Sequence, residues 1–181
     1  MHKRTGQLLQ SIRRLSRMKK PLWQRAYEKA LFLFKSQIVE SSIVRIKGSV
    51  LKPISMKHAD GSLAAWFVPV IVKDKIVGFF QFSTSLELLR YASFQKNPED
   101  IENCPLAVLW LDSEKIRERA AILALSDEKL STPYLTYDVD ISRVVWAIVA
   151  TKPNGENRRI FVVGTEVFNE MDRSSPFTGK L

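Results

Sequence analysis

The chain has very little of what metal and redox chemistry requires. Its 181 residues include one cysteine, Cys104, and two histidines, His2 and His58. A single thiol cannot close an intramolecular disulfide, so no disulfide framework holds this fold. The two histidines and the cysteine also share no ligand spacing of the kind a zinc site needs. Cys104 lies in Asn103-Cys104-Pro105. It reads as a nucleophile or redox sensor, or as the small buried hydrophobe that free cysteine usually is. No histidine stands near it in sequence to activate it, which favours the second reading.

Glycine is scarce too. Gly48, Gly61, Gly78, Gly155 and Gly164 stand isolated, so no glycine-rich phosphate loop is present. No Gly-x-Ser-x-Gly elbow occurs either. Long apolar runs are missing: the longest, residues 64–72, is interrupted by Pro69, far short of the roughly 20 residues that span a bilayer. No transmembrane segment is therefore expected. The first residues carry the positive charge of a signal peptide but no apolar stretch follows them, so the cytoplasm is the expected compartment. No cofactor and no metal are expected. The nearest approach to a cation site is Asp138-Val139-Asp140, which sets Asp138 and Asp140 on one face of a strand. Its other reading is a solvated strand end whose charges discourage edge pairing. An oxygen cage needs more ligands than these two.

Acidic residues are absent from one region. Residues 1–20 hold Lys3, Arg4, Arg13, Arg14, Arg17, Lys19 and Lys20 and no Asp or Glu. The net charge of +9 is thus concentrated in an arm, and the remainder balances to +2. Leu8, Ile12 and Leu15 recur at helical spacing within it, with Arg13, Arg14 and Arg17 between them. Such a basic amphipathic helix suits a polyanion, whether nucleic acid or an anionic membrane surface. It equally suits docking on its own domain, with the arginines facing water.

What is present reads as helix, strand and hairpin, twice over. Pro21 opens a helix to about Glu40 with Trp23, Tyr27, Phe34 and Ile38 on its apolar stripe. Val44, Ile46 and Val50 alternate as a half-buried strand. Residues 64–72 and 76–82 form a hairpin through Lys73-Asp74-Lys75, with a bulge or edge expected near Pro69 and Gly78. Thr84 and Glu87 form a capping box that opens a helix through about Phe94. Residues 96–105 are polar and read as a linker. Residues 106–111 read as a short strand, and Asp112 caps a helix over residues 113–125. Residues 134–140 alternate, residues 144–151 are strongly β-forming, and Pro153-Asn154-Gly155 turns the chain into a return strand at residues 160–164. Trp66 and Trp146 open the matching hairpin strands.

Residues 113–170, with their helix, the strand around Trp146, the turn Asn154-Gly155 and the run from Ile160 to Val167, resemble the PepSY and cystatin-like families, and residues 22–90 do so more loosely. The resemblance implies one helix packed across an antiparallel sheet, often in tandem, and binding or restraint of other proteins rather than catalysis. The expected fold is α+β, with two cystatin-like helix-plus-antiparallel-sheet halves that are separate or share one sheet. The expected organisation is a basic arm (1–20), a first half (21–95), a linker (96–105), a second half (106–172) and a tail (173–181). The expected partner is a protein or peptide, with Arg13, Arg14, Arg17, Trp66 and Trp146 as candidate contacts. A polyanion partner for the arm and a homodimer stay open, as does a cystatin-like pocket for a small molecule between helix and sheet.

Overall fold

Two antiparallel meanders of strands meet side by side in one sheet. The computed structural model of the chain describes residues 20–36, 38–138 and 143–170. Helices α1 (Leu22–Lys35) and α2 (Ser42–Lys47) precede strands β1 (Gly48–Val50), β2 (Ile54–Lys57), β3 (Leu63–Val72), β4 (Lys75–Phe82) and β5 (Leu88–Ser93). Helices α3 (Ala107–Leu111) and α4 (Ser113–Ala120) then precede β6 (Lys129–Leu130), β7 (Tyr134–Tyr137), β8 (Val144–Thr151), β9 (Asn157–Val163) and β10 (Glu166–Asn169). The fold class is α+β. The ten strands form one sheet in the order β10-β9-β8-β7-β2-β3-β4-β5, with β1 beside β3 and β6 beside β8. The meanders join where Met56 of β2 runs parallel to Leu135 of β7.

The pairing registers of β1 to β4 recur in β6 to β9. Trp66 lies between Ser55 and Phe82, and Trp146 lies between Leu135 and Val162, each residue 80 positions beyond its counterpart. Val50 opposite Val70 and Leu130 opposite Ala150 keep the same offset of 80. So do Val70 opposite Gly78 and Ala150 opposite Arg158. A parallel joint between two outward-running meanders relates them by a rotation about an axis along the strands. Such a rotation exchanges the two faces of the sheet.

The helices follow that exchange. Alternate residues of β3 point to opposite faces. Trp66, Val68, Val70 and Val72 meet α1, which buries Ala26, Ala30 and Phe34 at helical spacing. Ala65 and Phe67 point the other way, into a core that holds Met56, Phe79, Leu135, Trp146 and Ile148 beneath Trp110 of α3 and Ile116 and Ala120 of α4. This core crosses the β2–β7 joint. Aromatic contacts link its strands to α3: Phe67 to Phe79, Phe79 to Phe94, and Phe94 edge-on to Trp110.

Local chemistry explains where the chain departs from its sequence pattern. Residues 42–47 are a helix, not the strand that Val44 and Ile46 suggest. The Ser41 side chain accepts the Val44 N–H and caps it, which leaves Val44 buried and Ile46 81% exposed. The first helix stops at Lys35 rather than at Glu40, where the Ser36 hydroxyl turns back to the Leu33 carbonyl. Residues 88–93 are strand, not helix. Ser83 takes the Glu87 N–H on its hydroxyl and bonds the Glu87 carbonyl, and Leu86 adopts a left-handed conformation at φ 69° with its side chain in the core. That turn ends any helix Thr84 could start. Residues 107–111 are helix, not strand; the segment leaves the sheet after a single bridge from Leu106 to Lys75, and Trp110 swings onto Phe94. An apolar run this short carries no period that separates the two. The Asp112 helix is shorter than its pattern, ending at Ala120 and followed by turns.

Other features match the pattern. Asp112 accepts the Glu114 and Lys115 N–H groups as the N-cap. Gly155, at φ +87°, makes the turn between β8 and β9. The bulge near Pro69 and Gly78 sits at Val77, skipped between the pairs Val70–Gly78 and Ile71–Ile76. Pro69 lies where its carbonyl accepts the Leu51 N–H, so its missing N–H faces the bend between β1 and β2. Segment 96–105 is held at its end: Cys104 is buried, and the Pro105 carbonyl accepts the Ile76 N–H.

Candidate site: a groove along the edge strand β5

β5 is the last strand on its side of the sheet and pairs only with β4 among the described residues. The Phe94 N–H bonds the Val77 carbonyl of β4. By antiparallel alternation, the backbone groups of Tyr91 and Ser93 therefore point to the open edge. A groove of about 250 Å³ is lined by Tyr91, Ser93 and Gln95 together with Ile38, Glu40 and Ser41. Lys96 and Pro98 also line it. Ser42 reaches Glu99 across the groove's flank at 3.3 Å, and the Gln95 amide donates to the Pro98 carbonyl at 2.7 Å, which ties the 95–99 loop into the wall. Burial, followed by the nearby Cys104 and Glu40, pushes the Tyr91 hydroxyl up to about 12. It is therefore a neutral hydrogen-bond donor over the physiological range.

Gly78 makes room for this arrangement. A Cβ there would stand 2.7 Å from the Ala92 carbonyl oxygen and 2.9 Å from the Tyr91 hydroxyl. The matching position in the second meander is Arg158. Its guanidinium grips both oxygens of Glu128 at 2.7 and 2.8 Å. It also donates to the Leu123 carbonyl at 2.6 Å and to the Asn169 side chain of β10. The Glu128 carboxylate also accepts the Leu125 N–H. The Arg158 hydrogen bonds, followed by that backbone N–H, hold Glu128 down at about 2.

Most residues singled out from sequence lie elsewhere. Arg13, Arg14, Arg17 and Asp140 fall outside the described residues. Trp66 and Trp146 face opposite sides of the sheet, and neither lines the groove. Trp146 is buried and donates to the Trp110 carbonyl at 2.8 Å. Trp66 packs against the core that α1 covers, and its buried indole N–H has no acceptor. Asp138 is paired with Arg143 at 3.2 Å. Cys104 is buried, its thiol directed at the Asp100 carbonyl, and burial pushes that thiol up, away from a reactive thiolate. Among the described residues no group of three or more His, Cys, Asp or Glu is placed to hold a metal, and no helix is long and apolar enough to cross a membrane.

Two further polar features complete the surface. Gln81, buried at the end of β4, bonds the Tyr137 hydroxyl and accepts from Arg90; it is a satisfied internal network. A wider open depression of about 780 Å³ lies along α4 and the turns after it, lined by Glu114, Glu118, Leu125 and Lys129 among others. Its Glu128 is already committed to Arg158. Sequence reading missed the β5 groove because Tyr91 and Ser93 were expected on a helix. The signal available was Tyr91 itself, a strong strand former. No family model, curated protein or solved structure matches the chain.

Proposed function

We propose that the protein is a non-enzymatic peptide-binding module built from two PepSY-like, cystatin-like units, and that its target adds as a strand along β5. The observation that carries this reading is the groove beside an unpaired strand edge. The edge offers main-chain donors and acceptors, and the groove takes alternate side chains of an extended chain. The constant 80-residue offset in register supports the two-unit reading. The contrast at Gly78 and Arg158 supports placing the target on the first unit, since Arg158 is committed to Glu128, Leu123 and Asn169 while a groove lies beside β5.

Panning a phage-displayed library of short random peptides against the full protein tests the proposal. Selected peptides should lose affinity when alternate backbone nitrogens are N-methylated, because those nitrogens would pair with β5. Binding should also fall sharply in Ser93→Pro, which removes one outward N–H at an edge where proline is tolerated. Peptides indifferent to both changes would contradict strand addition at this edge.

A further inference from the structure

The helices on the two faces of the sheet differ in charge. Residues 107–120, which hold α3 and α4, carry three basic and three acidic side chains, and Lys115 is paired with Glu118 at 2.8 Å. Residues 22–47, which hold α1 and α2, carry five basic side chains and two acidic ones. One of those acids, Glu28, is taken by Lys20 at 2.6 Å. Arg25, Lys35, Arg45 and Lys47 are exposed and have no ion-pair partner among the described residues. Gly48 pairs with Val72, so Lys47 and Lys73 flank the same end of the β1–β3 ladder, and Lys73 is exposed too. Large apolar side chains stand among these cations. Phe32 is 74% exposed and Ile46 is 81% exposed. Phe32 shares a face of α1 with Arg25 and Lys35, seven residues before it and three after, away from the buried Ala26, Ala30 and Phe34. Ile46 sits between Arg45 and Lys47. Both helices rest on β1 and β3, so their outer sides look away from the same face of the sheet.

We propose that the outer side of α1 and α2 docks on an anionic lipid bilayer, with Phe32 and Ile46 entering between the headgroups. The chemistry of the face selects this occupant. Binding at a bilayer surface takes cations to meet anionic headgroups and a few large apolar groups to reach the acyl boundary. This face carries both, interspersed. A nucleic acid would meet the cations, but the aliphatic Ile46 offers no ring on which a base could stack. A second copy of the chain would set the same unpaired cations against one another, a like-charge contact that opposes association. The opposite side of the sheet also exposes Ile122 and Leu125. Its helical charges balance, however, so it has no comparable attraction for anionic headgroups.

Co-sedimentation of the full chain with vesicles tests this. Phosphatidylcholine vesicles that contain phosphatidylserine should pellet the protein at low salt, and pure phosphatidylcholine vesicles should not. The pelleted fraction should fall several-fold in Phe32→Ser/Ile46→Ser and in Arg45→Glu/Lys47→Glu, with thermal unfolding unchanged because these side chains face water. No pelleting of the unmodified chain would overturn the proposal. So would pelleting that the Phe32→Ser/Ile46→Ser pair leaves intact, since charge elsewhere in the chain would then carry it. Binding of a single-stranded oligonucleotide that these variants lose, without any binding to vesicles, would assign the face to nucleic acid instead. The second measurement needs no variant. Hydroxyl-radical modification of Phe32 in the unmodified chain should drop several-fold on phosphatidylserine vesicles, while that of Ile122 stays the same. Protection of Ile122 with Phe32 unprotected would also overturn the proposal.

Discussion

The two meanders share the registers of β1 to β4 and β6 to β9 and differ at their outer strands, where Phe80 faces Tyr91 but Ile160 faces Asn169. At position 78 the first has glycine, Tyr91 leans into the space, and a groove opens along β5. At position 158 the second has an arginine that bonds Glu128, the Leu123 carbonyl and Asn169, locking β10 to the turns after α4. Both β5 and β10 end the sheet among the described residues, and they differ in how the space behind them is filled.

The largest test of the comparison is in the cores. Phe80 and Ile160 occupy equivalent positions, both fully buried under their own unit's helices. Phe80→Ala should cost about 3–5 kcal/mol and Ile160→Ala about 2–5 kcal/mol in urea unfolding. A near-zero cost at either position would mean that the two units are not packed alike.

Acid should next separate the two outer strands. Glu128 ionises at about 2 in the folded chain against an ordinary 4.5. The stabilisation from its Arg158 clamp is therefore complete above pH 4.5 and is lost as pH falls toward 2. Arg158→Gly should remove this part of the acid dependence and lower stability at neutral pH. Gly78 has no such partner, so no corresponding acid-sensitive clamp exists at that position.

The tryptophans sharpen the comparison on a smaller scale. Trp146→Phe leaves the Trp110 carbonyl without its donor, whereas Trp66→Phe removes an N–H that has no acceptor. Trp146→Phe should be the more costly by about 1–3 kcal/mol, the penalty of a buried group left unpaired. Thermal or urea unfolding of the two variants reads the difference. Equal losses would show that ring volume alone decides both. The caps come last: Asp112→Ala on α4 and Ser41→Ala on α2 should each cost about 1 kcal/mol, measurable by the same unfolding curves.

The strands around Trp66 and Trp146 were legible in sequence because Val, Ile and Phe dominate them and Lys73-Asp74 and Asn154-Gly155 punctuate them. The short segments were not. Val44 and Ile46 mimic a strand two residues apart, and only the Ser41 cap decides for helix. Thr84 and Glu87 fit a capping box, yet Ser83 captures the Glu87 N–H first. That substitution of one hydroxyl for another hid β5, and with it Tyr91, Ser93 and the groove. The tryptophans drew attention because large aromatics anchor interfaces, but here both rings are spent on packing against the helices. The parallel joint between β2 and β7 has no sequence signal, since a single register pair specifies it.

Amide hydrogen exchange of the full protein with and without a library-selected peptide tests the central claim most directly. The prediction is slowed exchange at Tyr91 and Ser93, whose N–H groups face the open edge, with the β10 amides at Val167 and Asn169 unchanged. Protection at β10 or along α4, with Tyr91 and Ser93 unaffected, would contradict it.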